Sequence, residues 1–237
     1  MILGDICTRS CGFCSVKTGK PLNVDGNEPR RVSDLVNNLK LRHVVITSVD
    51  RDDLRNDYGA QIWYETVNAI RDKSPNCTIE ILTPDFKGFN PSLDLVFASK
   101  PDIFSHNIEC VERISKKVRR TSNWERSLEV LKYAISKSML TKTGMMVGLG
   151  ETDQEVFDTM ELVHNIGVEI FNIGQYLQPT KNHLSVKRYV DPEVFKLYKQ
   201  FGENLGFKVV ESGPLVRSSY HADKQAREYG KLDKLSF

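Results

Sequence analysis

The sequence predicts an α/β fold: a partial parallel (β/α) barrel forming one domain over residues 1–237. Three observations carry this. Strand and helix patterns alternate along the chain, which implies parallel strands joined by right-handed crossovers. The strand segments are mostly continuous apolar runs, as expected of strands buried on both faces. A polar segment follows each strand. An open doubly wound sheet satisfies the alternation equally well. In a barrel, however, those polar segments would ring one mouth at the carboxyl ends of the strands, and their regular placement favours that geometry.

Taken in order, strands are expected near Ile2–Ile6, His43–Ser48, Thr78–Leu82, Asp102–Ser105, Thr141–Val147, Ile170–Gly174 and Lys208–Glu211. Helical spacing is expected over Ser33–Lys40, Gly59–Lys73, Pro91–Ala98, Asn123–Ser138, Asp153–Ile166 and Pro192–Leu205. Ser33-Asp34 offers a start signal for the first helix, and Pro91 and Pro192 suit first-turn positions. Thr152-Asp-Gln-Glu155 has the form of a capping box. Gly167 and Gly206 stand just past apolar helical patterns, where a left-handed cap is expected. Repeats, low-complexity tracts and linkers are absent from the sequence, which supports one domain.

The chain of 237 residues is 40% hydrophobic, enough for one sizeable core. A net charge of +2 argues for no nucleic-acid partner. No apolar run approaches bilayer length and the start carries no signal-peptide pattern, so neither membrane insertion nor secretion is expected. The five cysteines do not form a secreted disulfide framework, and a reducing, cytoplasmic setting is expected. Only six residues precede the first cysteine. A loop of this kind normally follows a complete strand, so the chain is expected to be cut at its amino end.

Chemistry concentrates in Cys7-Thr-Arg-Ser-Cys11-Gly-Phe-Cys14. Three thiols fall within eight residues, and no fourth cysteine or histidine stands nearby. A structural zinc site would want four protein ligands, usually as two separated pairs. A fully ligated iron–sulfur cluster would want four thiolates. Three ligands and an open position suit a centre that must bind something else. Cys77 and Cys110 are isolated and read as ordinary semi-buried thiols.

The C-x3-C-x2-C spacing resembles the radical S-adenosylmethionine (SAM) enzymes. The resemblance implies a [4Fe–4S] cluster held by Cys7, Cys11 and Cys14, with SAM on its fourth iron. Further segments narrow it: Thr47-Ser-Val-Asp-Arg-Asp-Asp53, Ser105-His-Asn-Ile-Glu109, Thr143-Gly-Met-Met-Val-Gly-Leu-Gly-Glu151, Ile173-Gly-Gln-Tyr-Leu-Gln-Pro179 and Ser212-Gly-Pro-Leu-Val-Arg-Ser-Ser-Tyr-His-Ala222. Together and in this order they resemble the lipoyl synthase family. That implies sulfur insertion at C6 and C8 of an octanoyl chain carried by a lipoyl carrier domain or a glycine-cleavage H-type protein. An electron donor such as ferredoxin or flavodoxin is implied too. The alternative is a truncated, inactive or split-partner core that cleaves or binds SAM without inserting sulfur on its own.

The family draws its sulfur from a second, auxiliary [4Fe–4S] cluster. Three cysteines ahead of the radical-SAM loop hold that cluster, and they are absent from this sequence. Its fourth ligand is a serine of the Arg-Ser-Ser-Tyr motif, matched here to Ser219, with Ser218 as the alternative. The resemblance also implies SAM contacts. Phe13 matches an aromatic position near the adenine, with Gln175 and Leu177 on the same side and simple packing as the competing reading. Thr47 and Ser48 follow a strand and either bond SAM or form an ordinary strand-to-helix turn. Asn107 and Glu109 match positions facing the ribose or amino-acid moiety. Lys142 lies in an apolar strand, where a SAM carboxylate would explain its burial, unless it snorkels outward. Gly148 and Gly150 would let backbone approach a ligand, or mark only a turn. Arg217 and Tyr220 would hold substrate or brace the auxiliary cluster, and Glu151 and Asp153 would serve the following helix.

Overall fold

The computed structural model describes residues 1–228. The last nine residues of the expected domain, 229–237, lie outside them. In chain order the elements are β1 (Ile6–Cys7), β2 (Lys17–Thr18), α1 (Glu28–Asn38), β3 (His43–Thr47), α2 (Ala60–Lys73), β4 (Thr78–Leu82), a 3-10 turn (Phe86–Gly88), α3 (Asn90–Ala98) and β5 (Ile103–Ser105). They continue with α4 (Glu112–Val118), α5 (Trp124–Ser136), β6 (Thr141–Val147), α6 (Asp153–Asn165), β7 (Ile170–Gln175), α7 (Pro192–Leu205), β8 (Val209–Gly213) and α8 (Ala222–Glu228).

Strands β3 to β8 pair side by side in sequence order, every pair parallel. The sheet is therefore the partial (β/α) barrel expected, with β3 and β8 as its two edges. Ile2 bridges to Ser48, its amide donating to the Thr47 carbonyl at 2.7 Å, and α8 packs against β3. Both cover an edge that would otherwise offer unpaired backbone groups.

The expected first strand, Ile2–Ile6, is not continuous. It reduces to the Ile2 bridge and the two-residue β1, because Leu3 and Gly4 adopt positive φ (67° and 91°) and turn the chain away. The first helix begins at Glu28 rather than Ser33. Pro29 occupies its first turn, while Ser33 is buried mid-helix and donates to the Arg30 carbonyl. Helices α4 and α8, of seven residues each, have too few turns to show a period and were not expected. The other end signals hold. Thr152 and Glu155 form a reciprocal capping box, and Gly167 and Gly206 have φ of 99° and 105°.

The strands are buried, but their two faces differ. Ile79 and Ile81 of β4 face Trp63 and Val67 of α2, and Phe171 and Ile173 of β7 join the cluster around α5, α6 and α7. The alternate residues, Glu80, Lys142 and Asn172, are polar and buried on the inner side. Ile103, Leu140, Ile170, Val209 and Ala226 close the barrel floor beneath them. The polar layer between that floor and the mouth is what positions the site.

Candidate active site

The cysteine loop leaves the edge of the barrel between β1 and β2, whose pairing sets Cys7 opposite Thr18. Arg9, only 3% exposed, reaches from this loop under the strand ends. Its guanidinium meets Asp50 Oδ1 at 3.1 Å, Asp52 Oδ1 at 2.8 Å and Asp85 Oδ1 at 2.6 Å. Buried charges are tolerated when paired and hydrogen-bonded in this way. The far side of the loop is fastened by backbone. The Gly12 amide donates to the Val118 carbonyl and the Leu184 amide donates to the Gly12 carbonyl, both at 2.9 Å. A Cβ at position 12 would lie 2.9 Å from Leu184 Cγ, so glycine permits the approach. His183 Nε2 stands 3.0 Å from the Cys14 carbonyl.

Cys7, Cys11 and Cys14 line one cavity of about 190 Å³. All five cysteines are free thiols. Burial pushes the Cys7 thiol up, and pushes that of Cys11 up to about 12 against the pull of Arg119. Thiols held this way ionise on meeting a metal, which deprotonates a coordinating sulfur outright. The Arg9 amide already donates to Cys7 Sγ at 3.4 Å. No three His, Cys, Asp or Glu among the described residues are close enough together to hold a single metal ion. A cluster puts each cysteine on its own iron, so its ligands surround a core and need not converge on one point. Three thiols around a shared cavity therefore fit a [4Fe–4S] cluster with one iron left over.

A second cavity, of about 460 Å³, adjoins the first. Phe13, Cys14, Thr47, Leu82, Asn107 and Glu109 line both. Ser48 faces the smaller cavity; Gln175, Leu177 and Ser219 face the larger one. Glu109 adopts a φ of 68°, and burial holds its carboxyl above the usual range despite nearby Arg119. Gln175 lines the cavity with its amide already committed: Nε2 donates to the Tyr176 and Arg188 carbonyls, and Oε1 accepts from the Val190 amide.

Lys142 lines neither cavity. Its ammonium meets Glu80 at 3.0 Å and the Ser218 carbonyl at 2.7 Å, so its burial is answered from within the barrel, with no call on a SAM carboxylate and no snorkelling. Gly148 likewise serves the protein itself, since a Cβ there would lie 2.4 Å from the Arg188 carbonyl oxygen. Glu151 accepts from the Gly148 and Leu149 amides at 2.6 and 2.9 Å, closing that turn, while Asp153 pairs with Arg188 and Tyr198.

Three contributors escaped sequence reasoning: Arg9, Arg119 and His106. Arg119 lines the smaller cavity and donates to Ser127 Oγ at 3.0 Å. His106 stands between the Thr83 carbonyl at 2.9 Å and the Ser127 hydroxyl at 3.0 Å. Burial lowers its pKa to about 4, so the ring is neutral. That assigns its proton to Nδ1, donating to Thr83, with Nε2 accepting from Ser127. A signal was available for Arg9 alone: a charged residue inside a ligand loop, preceding two strand-end acidic segments.

Comparison with known proteins decides the family. The model of the radical SAM superfamily matches residues 1–163. The lipoyl synthase of Flavobacterium johnsoniae is 52% identical over 225 residues, 94% of this chain and 78% of that protein. The chain belongs to the lipoyl synthase family. A mitochondrial lipoyl synthase of Nematostella vectensis is 52% identical over 94% of this chain and 77% of its own length; that of Rubrobacter xylanophilus is 52% identical over 96% and 71%. Among solved structures, Streptococcus suis SuiB bound to S-adenosylmethionine matches with a TM-score of 0.70 at 10% identity, over 98% of this chain and 51% of that one. Methylornithine synthase (PylB) matches at 0.62 and 13% identity, over 92% and 72%. At these identities the likenesses show the fold alone.

Proposed function

We infer that this chain is a lipoyl synthase: a radical SAM sulfurtransferase that inserts sulfur at C6 and C8 of an octanoyl chain on a carrier protein. The carrying observation is the shared wall. The cavity lined by three cysteines shares Phe13, Cys14, Thr47, Asn107 and Glu109 with an adjoining cavity of about 460 Å³. When bound, the reduced cluster and SAM supply the electron and the 5′-deoxyadenosyl radical that abstracts hydrogen from carbon.

The protein's own part is to bind, orient and exclude. We assign the cluster to Cys7, Cys11 and Cys14, with the Arg9 network and the Gly12–Leu184 contact holding their loop. Phe13, Thr47, Ser48, Asn107, Glu109, Gln175 and Leu177 are assigned to SAM, with Gln175 and Leu177 beside Phe13 on the adenine side. Asn107 and Glu109 offer an amide and a carboxyl side by side, suited to an amino group or ribose hydroxyls. The apolar share of the wall, Val45, Leu82, Met146 and Val216, suits an octanoyl chain and keeps water from a radical.

For an auxiliary cluster, Ser219 is the better of the two serines. Both line the larger cavity, but the Ser218 hydroxyl accepts from Asn107 at 3.0 Å, whereas the Ser219 side chain makes no hydrogen bond to any described residue. We further take residues 1–237 as one radical SAM core, reduced by a ferredoxin or flavodoxin. Free thiols at ligand spacing suit the reducing cytoplasm.

Anaerobic reconstitution tests the assignment. The chain should take up iron and sulfide for a cluster and cleave SAM to 5′-deoxyadenosine, and Cys11→Ala should do neither. Uptake of zinc in place of iron, or a Cys11→Ala variant that still cleaves SAM, would contradict it.

A further inference from the structure

Lys142 is a lysine with 1% exposure in the interior of a barrel. An ammonium buried this deeply needs a counter-charge and partners for three N–H groups. Glu80, fully buried on β4, supplies the charge: its two oxygens lie 3.0 and 3.2 Å from Nζ. Ser105 on β5 donates to Glu80 Oε1 at 2.8 Å and fixes the carboxylate's orientation. The shortest contact of the ammonium is with the Ser218 carbonyl, 76 residues further along, at 2.7 Å. That contact fastens the segment around Ser218 to the ion pair that joins β4 and β6.

Ser218 is held from other directions too. Asn107 donates to its hydroxyl at 3.0 Å, and Asn172 of β7 approaches the Arg217 and Ser218 carbonyls at 3.4 Å each. At Gly174 a Cβ would fall 2.2 Å from the Val216 carbonyl oxygen, so the segment is laid directly on bare β7 backbone. The neighbouring hydroxyl, on Ser219, is left without a hydrogen bond to any described residue, and Ser219 lines the larger cavity.

We propose that Lys142, charge-balanced by Glu80, is a positioning residue that clamps the Ser218 peptide so that the Ser219 hydroxyl is presented at the cavity wall. Two adjacent serines thus divide the work, one being gripped and the other offered to a ligand. The proposal rests on the reading of Ser219 as a cluster ligand for its purpose, but not for its geometry.

The test replaces the pair together, Lys142→Gln with Glu80→Gln, so that no unpaired charge is buried. Amide hydrogen exchange is followed by mass spectrometry on the full chain, with no substrate needed. Exchange across residues 216–221 should quicken about tenfold or more, as loss of a charge-assisted bond on a short segment would give, while β4, β6 and the loop 7–14 keep their protection. Unchanged exchange over 216–221 would overturn the clamp. So would a rise spread over β4 and β6, or failure of the double variant to fold, since either gives the pair a purely structural role. Ser219→Ala tests the ligand reading separately: full sulfur insertion by that variant, with the exchange result as expected, would leave the clamp standing and remove its purpose.

Discussion

The guanidinium of Arg9 lies 2.6 Å from the Asp85 carboxylate, and both side chains are withdrawn from solvent. One belongs to the cysteine loop and the other follows β4, so a single contact ties that loop to the barrel. Asp50 and Asp52 complete a three-carboxylate grip. Removing the cation leaves Asp50 without an ion-pair partner among the described residues, while Asp85 keeps only Arg126 and Asp52 only Lys87. Arg9→Gln should therefore cost about 3–5 kcal/mol of unfolding free energy, read by urea denaturation. Arg9→Lys should recover only part of it, because a point charge cannot span three carboxylates as a guanidinium fork does.

The same grip sets a pH dependence. Hydrogen bonding and charge from Arg9 hold the Asp85 carboxyl well below its ordinary range, against burial, and Asp52 is lowered in the same way. A depressed folded pKa gives stability that is full above the unfolded value of about 3.9 and is lost as pH falls below it. Asp50 works with the opposite sign. Burial raises its pKa, so its contribution fades as pH rises through that raised value. Loss of stability below pH about 4 should be steep in the parent protein and shallow in Asp85→Asn.

His106 should contribute to the milder acid range, together with His43, whose pKa burial lowers in the same direction. The folded pKa of His106, about 4, lies below the unfolded value near 6.5, so between the two the unfolded chain binds more protons. Stability should then fall as pH drops from about 6.5 to about 4, by on the order of 3 kcal/mol in all. His106→Gln should flatten that slope in urea midpoints taken across the range. An unchanged slope would mean that the ring is already charged in the fold.

Gly174→Ala probes the seat of the Arg-Ser-Ser-Tyr segment. The new methyl would collide with the Val216 carbonyl oxygen, and backbone on both sides must move. The expected cost is about 1–3 kcal/mol in thermal or urea unfolding. The variant should keep cluster iron while losing product, since the cysteine loop is built from other elements.

Much of this was legible in the residues. Apolar residues such as Val44, Val45 and Ile46, or Ile170, Phe171 and Ile173, located the strands, and the polar segments after them marked the mouth. Two kinds of feature were not legible. Short elements such as α4 carry too few turns for a period to show. Long-range pairs leave no local trace: Arg9 finds Asp52 and Asp85 at separations of 43 and 76 residues, and Lys142 finds Glu80 at 62. The burial of Lys142 could be read from its strand, yet its partner could not, so a SAM carboxylate was the natural candidate. The barrel's inner polar layer explains it instead.

The most direct measurement follows both products in one anaerobic reaction. The chain, reconstituted with excess iron and sulfide as the source of the inserted sulfur, is given SAM, a strong reductant and an octanoylated carrier protein, and the carrier is analysed by mass spectrometry beside the 5′-deoxyadenosine released. The account predicts a carrier bearing sulfur at C6 and C8, formed together with deoxyadenosine and abolished along with it by Cys11→Ala. Deoxyadenosine released in quantity while the octanoyl chain gains no sulfur would contradict it.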